Sequence, residues 1–313
     1  GPREALPKQY PVERRIAIGG GTFRGLKDVT FDGFDRPVMV DSQERRMIVY
    51  NPGFAGVNLE FPLGRFLPQK IALRKGFLYQ LDAREHRIVV LRVPQAGEAI
   101  PREPQVVTTI GKKGNGNGAL MQPVDFAVLP EGQVAIVDNG IKALLVFTAE
   151  GRFEYSVGTP GKDRGRLQTP VAIAVDAVGD THILDAGRSV LLSYRGVRLL
   201  GERVVPARDQ PLIDLAYSAP QDAFYVLYGS GHVLRLKDND WKQAAAPGEG
   251  LGKIAEPVAL AADNTGSIYV VEQGANRLQK FGRWGKVIDP DVREVGVFFY
   301  FFRINRHHIK VMI

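Results

Sequence analysis

A short pattern recurs along this chain, and no other feature restricts its possible folds so far. The segment Gln122-Pro123-Val124-Asp125-Phe126-Ala127-Val128 lines up with Thr169-Pro170-Val171-Ala172-Ile173-Ala174-Val175 and with Glu256-Pro257-Val258-Ala259-Leu260-Ala261-Ala262. Gln210-Pro211-Leu212-Ile213-Asp214-Leu215-Ala216 follows the same pattern more loosely. An acid downstream of each segment serves as a ruler. Asp41, Asp82, Asp138, Asp185 and Glu272 occupy one equivalent position, and Tyr228 takes the acid's place in the fifth unit. The steps between them are 41, 56, 47, 43 and 44 residues, which makes six units. The long second step is accounted for by extra residues around Pro94-Gln95-Ala96-Gly97-Glu98.

Within a unit the local signals are those of strands. Ile268-Tyr269-Val270-Val271 and Phe224-Tyr225-Val226-Leu227 are short β-branched and aromatic runs bounded by Gly, Asp and Asn. No segment sustains a helical period with caps. Four short strands in a unit of this length point to an all-β, six-bladed β-propeller of four-stranded antiparallel blades. Ala72, Ala127, Ala174, Ala216 and Ala261 recur in the first strand of their units. Small side chains suit the innermost strands, which crowd around the propeller axis.

Gly-rich stretches precede several units. Gly111 to Gly118 lead to Leu120 and Pro123, Gly158 to Gly165 to Leu167 and Pro170, and Gly248 to Gly252 to Ile254 and Pro257. Glu272, Asn276 and Arg277 close the sixth unit, while Asp41 with Arg46 and Asp82 with Arg87 close the first two. This pattern resembles the NHL-repeat family over nearly the whole chain to about Lys286. Units three to five depart from it, with Ala143, Val190 and Val233 where the family has Arg. The resemblance implies the propeller fold. On function it leaves protein-binding, RNA-binding and lyase examples open.

The 313 residues contain no cysteine, which excludes a disulfide framework, a thiolate metal site and a cysteine nucleophile. No stretch approaches the apolar length of a membrane helix. Gly1-Pro2 has the look of a tag-cleavage scar, so the expectation is a trimmed start and a periplasmic or extracellular setting, with a cytoplasmic one still open. The net charge of +7 is too modest to imply nucleic acid by itself. The expected division is a propeller over 1–288 and an apolar, basic tail over 289–313 that acts as a closing strand or an interface. Glu13 to Ile18 and Lys286 to Ile288 are both candidates for an outer closing strand.

Most apparent sites have simple structural explanations. Gly111-Lys112-Lys113-Gly114-Asn115-Gly116-Asn117-Gly118 lacks the Gly-Lys-Ser/Thr ending of a phosphate loop and reads as a blade-to-blade connection. The repeated acid and Arg read as pairs across a tight turn, each contributing ~0–1 kcal/mol if exposed. His86 and His232 fall at turns and His182 inside a strand. The lyases that this fold resembles hold zinc with histidines from several blades, and lactonase-type propellers hold Ca²⁺ with Asp, Asn and Glu around the axis. Here the histidines stand at unequal depths, and although candidate oxygens exist the acids mostly fall at turns, so the expectation is no metal, no cofactor and no catalytic residue.

Charge polarity is the more specific signal. In an up-and-down blade the second-to-third loops and the blade connectors emerge at one end. Arg45, Arg46, Lys112, Lys113, Lys142, Lys162, Arg164, Arg166 and Arg188 belong there, and these are the candidate binding residues. The first-to-second loops at the other end carry Asp32, Asp35, Glu131, Asp176, Asp180, Asp222 and Asp263. The reading placed first is a non-enzymatic binding scaffold with a protein partner of acidic character, anionic glycan or nucleic acid being further candidates. The alternatives are a metal-dependent lyase or lactonase and an RNA-binding propeller. Few aromatics stand among the basic loops to stack bases, which counts against RNA.

Overall fold

The computed structural model describes residues 14–15, 24–54, 57–95, 97–248, 253–273, 277–281 and 300–303. Six mostly antiparallel sheets follow one another along the chain as six blades, and the helical content of the described residues is one short 3₁₀ turn at Pro52–Phe54. The innermost strands are Leu26–Phe31, Pro68–Arg74, Pro123–Val128, Pro170–Val175, Leu212–Ser218 and Pro257–Ala262. Each begins with a register shift, Pro123/Asp125 and Pro257/Ala259 among them, so one extra residue bulges at the same place in every blade. No helix among the described residues is long and apolar enough to cross a membrane.

Blade six joins distant parts of the chain. Its three sequential strands are extended by Tyr300–Arg303, antiparallel to Arg277–Phe281, and then by Arg14–Arg15, parallel to Tyr300–Arg303. The expected closing segment Lys286 to Ile288 lies outside the described residues, as does the rest of 289–299.

The molecule has no single central core. Six apolar clusters fill the six interfaces between neighbouring blades. One joins Val137, Leu144 and Val146 of blade three to Ile173, Ile183 and Leu192 of blade four, and another joins Ile48 and Tyr50 of blade one to Val271 and Leu278 of blade six. Alternate side chains of each strand therefore enter opposite interfaces, which is why the runs read as continuously apolar.

The repeated acids act differently from the sequence reading. They are wholly buried and accept backbone N–H groups. Asp138 takes those of Met121 (2.8 Å), Gln122 (3.1 Å), Gly140 (2.7 Å) and Ile141 (3.1 Å). Asp41, Asp82 and Asp185 repeat the arrangement, so each acid fastens a blade connector to the turn between its second and third strands. In blade five the Tyr228 hydroxyl donates instead to the Pro206 carbonyl and reaches the connector by another route. Arg46 and Arg87 pair with Glu60 and Glu85.

Candidate functional site

Chain reversal at every strand sorts the loops into two ends, a connector end and a hairpin end. Three of the connectors share one construction. Lys112–Lys113 pairs in parallel with Ala119–Leu120, Pro160 bridges Leu167, and Ala246–Pro247 pairs with Lys253–Ile254. Leu120, Leu167 and Ile254 are fully buried beneath these loops, each side chain contributing ~1.5–3 kcal/mol. Gly111 has φ +83°, and a Cβ there would lie 2.5 Å from Leu120 Cδ1. The glycines therefore serve loop closure over a buried apolar residue.

The nine basic candidates all belong to loops or strand starts of the connector end, but they are not equivalent. Arg46 pairs with Glu60 at 3.0 Å. Arg188 holds Glu202 with both terminal nitrogens, at 2.9 and 2.8 Å, and also donates to the Arg166 carbonyl. That guanidinium keeps the Glu202 carboxyl below its usual range, against the opposing effect of burial. Lys142 donates to Asn139 Oδ1 at 2.7 Å, and Arg166 donates to the Pro160 carbonyl at 3.1 Å. Arg45 occupies a left-handed turn position with φ 51°. Lys112, Lys113, Lys162 and Arg164 are exposed and make no ion pair among the described residues. They stand on the two connectors that flank blade three.

Acids at the hairpin end have a structural origin. Asp32, Asp176 and Asp263 each accept the backbone N–H groups two and four residues ahead, which closes the first-to-second turn of their blades. Asp180 is bound by Arg195 at 2.8 Å, and that bond lowers the carboxyl's pKa.

His182 lies between Asp176 Oδ2 (2.9 Å from Nε2) and Ser193 Oγ (2.7 Å from Nδ1), a set of residue types that suggests a hydrolytic triad. Blade six gives the structural reading. Tyr269 occupies the equivalent strand position and donates its hydroxyl to Asp263, the equivalent turn acid, at 3.0 Å. His182 therefore fills a repeated strand-to-turn tie, packed on Phe224 with ring centroids 4.4 Å apart. Burial pushes its pKa down, against the pull of Asp176.

The sequence reading missed the axis. Asp28, Asp125 and Asp214 are not turn residues; they occupy the same position on the innermost strands of blades one, three and five and are buried. Each carboxylate accepts the next N–H of its own strand and one from the following blade. Asp28 takes Val29 and Ile71, Asp125 takes Phe126 and Ile173, and Asp214 takes Leu215 and Leu260. One inner-strand N–H per blade would otherwise face the axis unpaired, and three carboxylates satisfy all six. Lys70, at the matching position of blade two, reaches across to Asp214 Oδ2 at 3.0 Å. Burial raises the Asp28 and Asp125 pKa values to about 7, Lys70 offsetting part of the shift. Burial alone would lower that of Lys70, but Asp214, Asp28 and Asp125 outweigh it.

Neither metal arrangement suggested by the fold fits these residues. His86 and His232 sit on second-to-third turns of blades two and five and His182 on a strand of blade four, so they do not converge. Among the described residues no group of three His, Asp or Glu could hold an ion. At the axis, an ammonium stands among the carboxylates. At the hairpin end a cleft of about 930 Å³ opens between blades one and two, walled by Phe34, Leu59, Lys75 and, among the extra residues, Pro94, Gln95, Gly97 and Glu98.

No family model matches the chain, so the NHL resemblance rests on the residues alone. No curated protein matches it either. Solved structures do. A streptogramin B lyase superposes with a TM-score of 0.60 at 13% identity, covering 93% of this chain and 87% of that one. Virginiamycin B lyase from Staphylococcus aureus gives 0.59 at 11% identity, with 87% and 85% covered. A putative gluconolactonase gives 0.57 at 15% identity, with 85% and 92% covered. At such identities the likeness is one of fold, and what it establishes is a six-bladed propeller whose named neighbours are enzymes.

Proposed function

We propose that this propeller is a binding module whose connector end engages an acidic polypeptide. The observation that carries the reading is the set of four exposed cations without ion pairs, Lys112, Lys113, Lys162 and Arg164, on adjacent connectors. Clustered like charge raises the local potential and accelerates encounter with an oppositely charged partner, an effect that weakens as salt rises. Internal partners already hold Arg46, Lys142, Arg166 and Arg188. Those four support the rim that presents the free cations.

Poly-L-glutamate is the probe for this reading, followed by fluorescence anisotropy across a salt series. Binding that weakens with salt and is lost in the variant Lys112→Glu/Lys113→Glu/Lys162→Glu/Arg164→Glu, with the thermal midpoint unchanged, supports it. Equal loss from reversing Lys75 and Arg152 at the hairpin end contradicts it.

A second reading has its own support, because the named fold neighbours are lyases and a putative lactonase. They favour an enzyme over the scaffold placed first from sequence. Among the described residues no three His, Asp or Glu form the metal site that reading needs. Turnover of a lactone or of virginiamycin B by purified protein, abolished by chelator, would establish the enzyme reading.

A further inference from the structure

We propose that the Lys70 ammonium is the resident cation of this propeller's axis, standing in the position that a divalent ion would take among Asp28, Asp125 and Asp214. Three carboxylates project at one level from blades one, three and five. The matching positions of blades four and six carry Ala172 and Ala259, both wholly buried and without charge. Blade two contributes Lys70, whose Nζ lies 3.0 Å from Asp214 Oδ2.

The six inner-strand N–H groups explain why acids stand at the axis, and the acids in turn explain the lysine. Buried carboxylates are tolerated only with hydrogen bonds and a counter-charge. All six of their oxygens already accept a backbone N–H, so each is engaged by a strand before any cation is added. A Ca²⁺ ion needs six to eight oxygens at about 2.3–2.6 Å, and no such grouping is present among the described residues. An ammonium needs only one close carboxylate and the field of the others, and that is what Lys70 has.

The inference is independent of what binds the connector end, and its test reads stability and metal uptake, not partner binding. Wild-type protein should show the same thermal midpoint with chelator and with added Ca²⁺, and equilibrium dialysis should show no stoichiometric Ca²⁺. Lys70→Met keeps the bulk and removes the charge. It should lower the midpoint, and by more at about pH 8.5 than at about pH 5.5, because the remaining titratable groups at that level are the three carboxylates and protonation relieves their repulsion. Lys70→Met/Asp214→Asn removes one charge of each sign; the amide forfeits one of the two backbone N–H bonds, but the difference between the losses at the two pH values should shrink. Stoichiometric Ca²⁺ in the wild type, a pH-independent loss in Lys70→Met, or an undiminished pH difference in the double variant would each overturn the proposal. If Lys70→Met yields no folded protein, the wild-type dialysis and the double variant still decide it.

Discussion

Replacing Asp138 by Ala should cost this protein more than any single substitution on its exposed loops. The carboxylate is 0% exposed and accepts four backbone N–H groups, two from the connector entering blade three and two from the turn after its second strand. A hydrogen bond to a charged acceptor contributes ~1.5–3 kcal/mol, and water reaching this partly buried turn recovers roughly half of that, so the expected loss is ~3–6 kcal/mol. Against a domain stability of ~5–15 kcal/mol this approaches unfolding. Asp138→Asn should be little better. Its amide oxygen can serve Gly140 and Ile141, but its NH₂ then faces the N–H groups of Met121 and Gln122. The assay is urea unfolding followed by tryptophan fluorescence and far-ultraviolet dichroism, with Lys113→Ala as an exposed control expected within ~0.5 kcal/mol of wild type. A loss below ~1 kcal/mol in Asp138→Ala would refute the view that these acids fasten the blades.

Three further outcomes follow from the same geometry. The native pKa values of about 7 for Asp28 and Asp125 lie above the ordinary aspartate value of 3.8, so the native state holds protons that the unfolded chain has lost. Their contribution to stability therefore falls as pH rises from about 4 to 7 and then levels off, and Asp28→Asn/Asp125→Asn should flatten that slope in denaturant titrations at several pH values. Burial depresses the His182 pKa, so its contribution is lost as pH falls through about 6.5 and below. His182→Tyr should retain more thermal stability than His182→Ala, since Tyr269 makes the equivalent tie to Asp263. Gly111→Ala should cost ~1–3 kcal/mol from its positive φ and the crowding at Leu120. Gly33→Ala, with open space around it, should be nearly neutral in the same unfolding assay.

The fold was legible because the repeat carries its own ruler. Asp41, Asp82, Asp138, Asp185 and Glu272 mark the same strand end in five blades, and Pro123, Pro170 and Pro257 mark strand starts. Loop parity then follows from strand count, which is why the basic residues could be assigned to one end. Their internal partners could not be read. Glu60 and Glu202 lie 14 residues beyond Arg46 and Arg188 and meet them only across a paired strand. The axis was missed for a related reason. Asp28, Asp125 and Asp214 were not singled out, although each sits in an apolar run at a fixed offset, in alternate units. The same offset holds Lys70 in the second unit, and a charge in an innermost strand was the signal available. The Asp-to-Arg pairs were misread because spacing shows which side chains flank a turn, whereas the N–H groups that need an acceptor there belong to the backbone.

The most direct test of the binding account is a hydrogen-exchange map of the folded protein with and without poly-L-glutamate. The account predicts slower exchange in the connectors at 111–120 and 159–168, which carry Lys112, Lys113, Lys162 and Arg164, and unchanged exchange in the hairpin-end turns at 128–133 and 175–181. Protection of the hairpin-end turns, or of the cleft between blades one and two, with the connectors unaffected would contradict it.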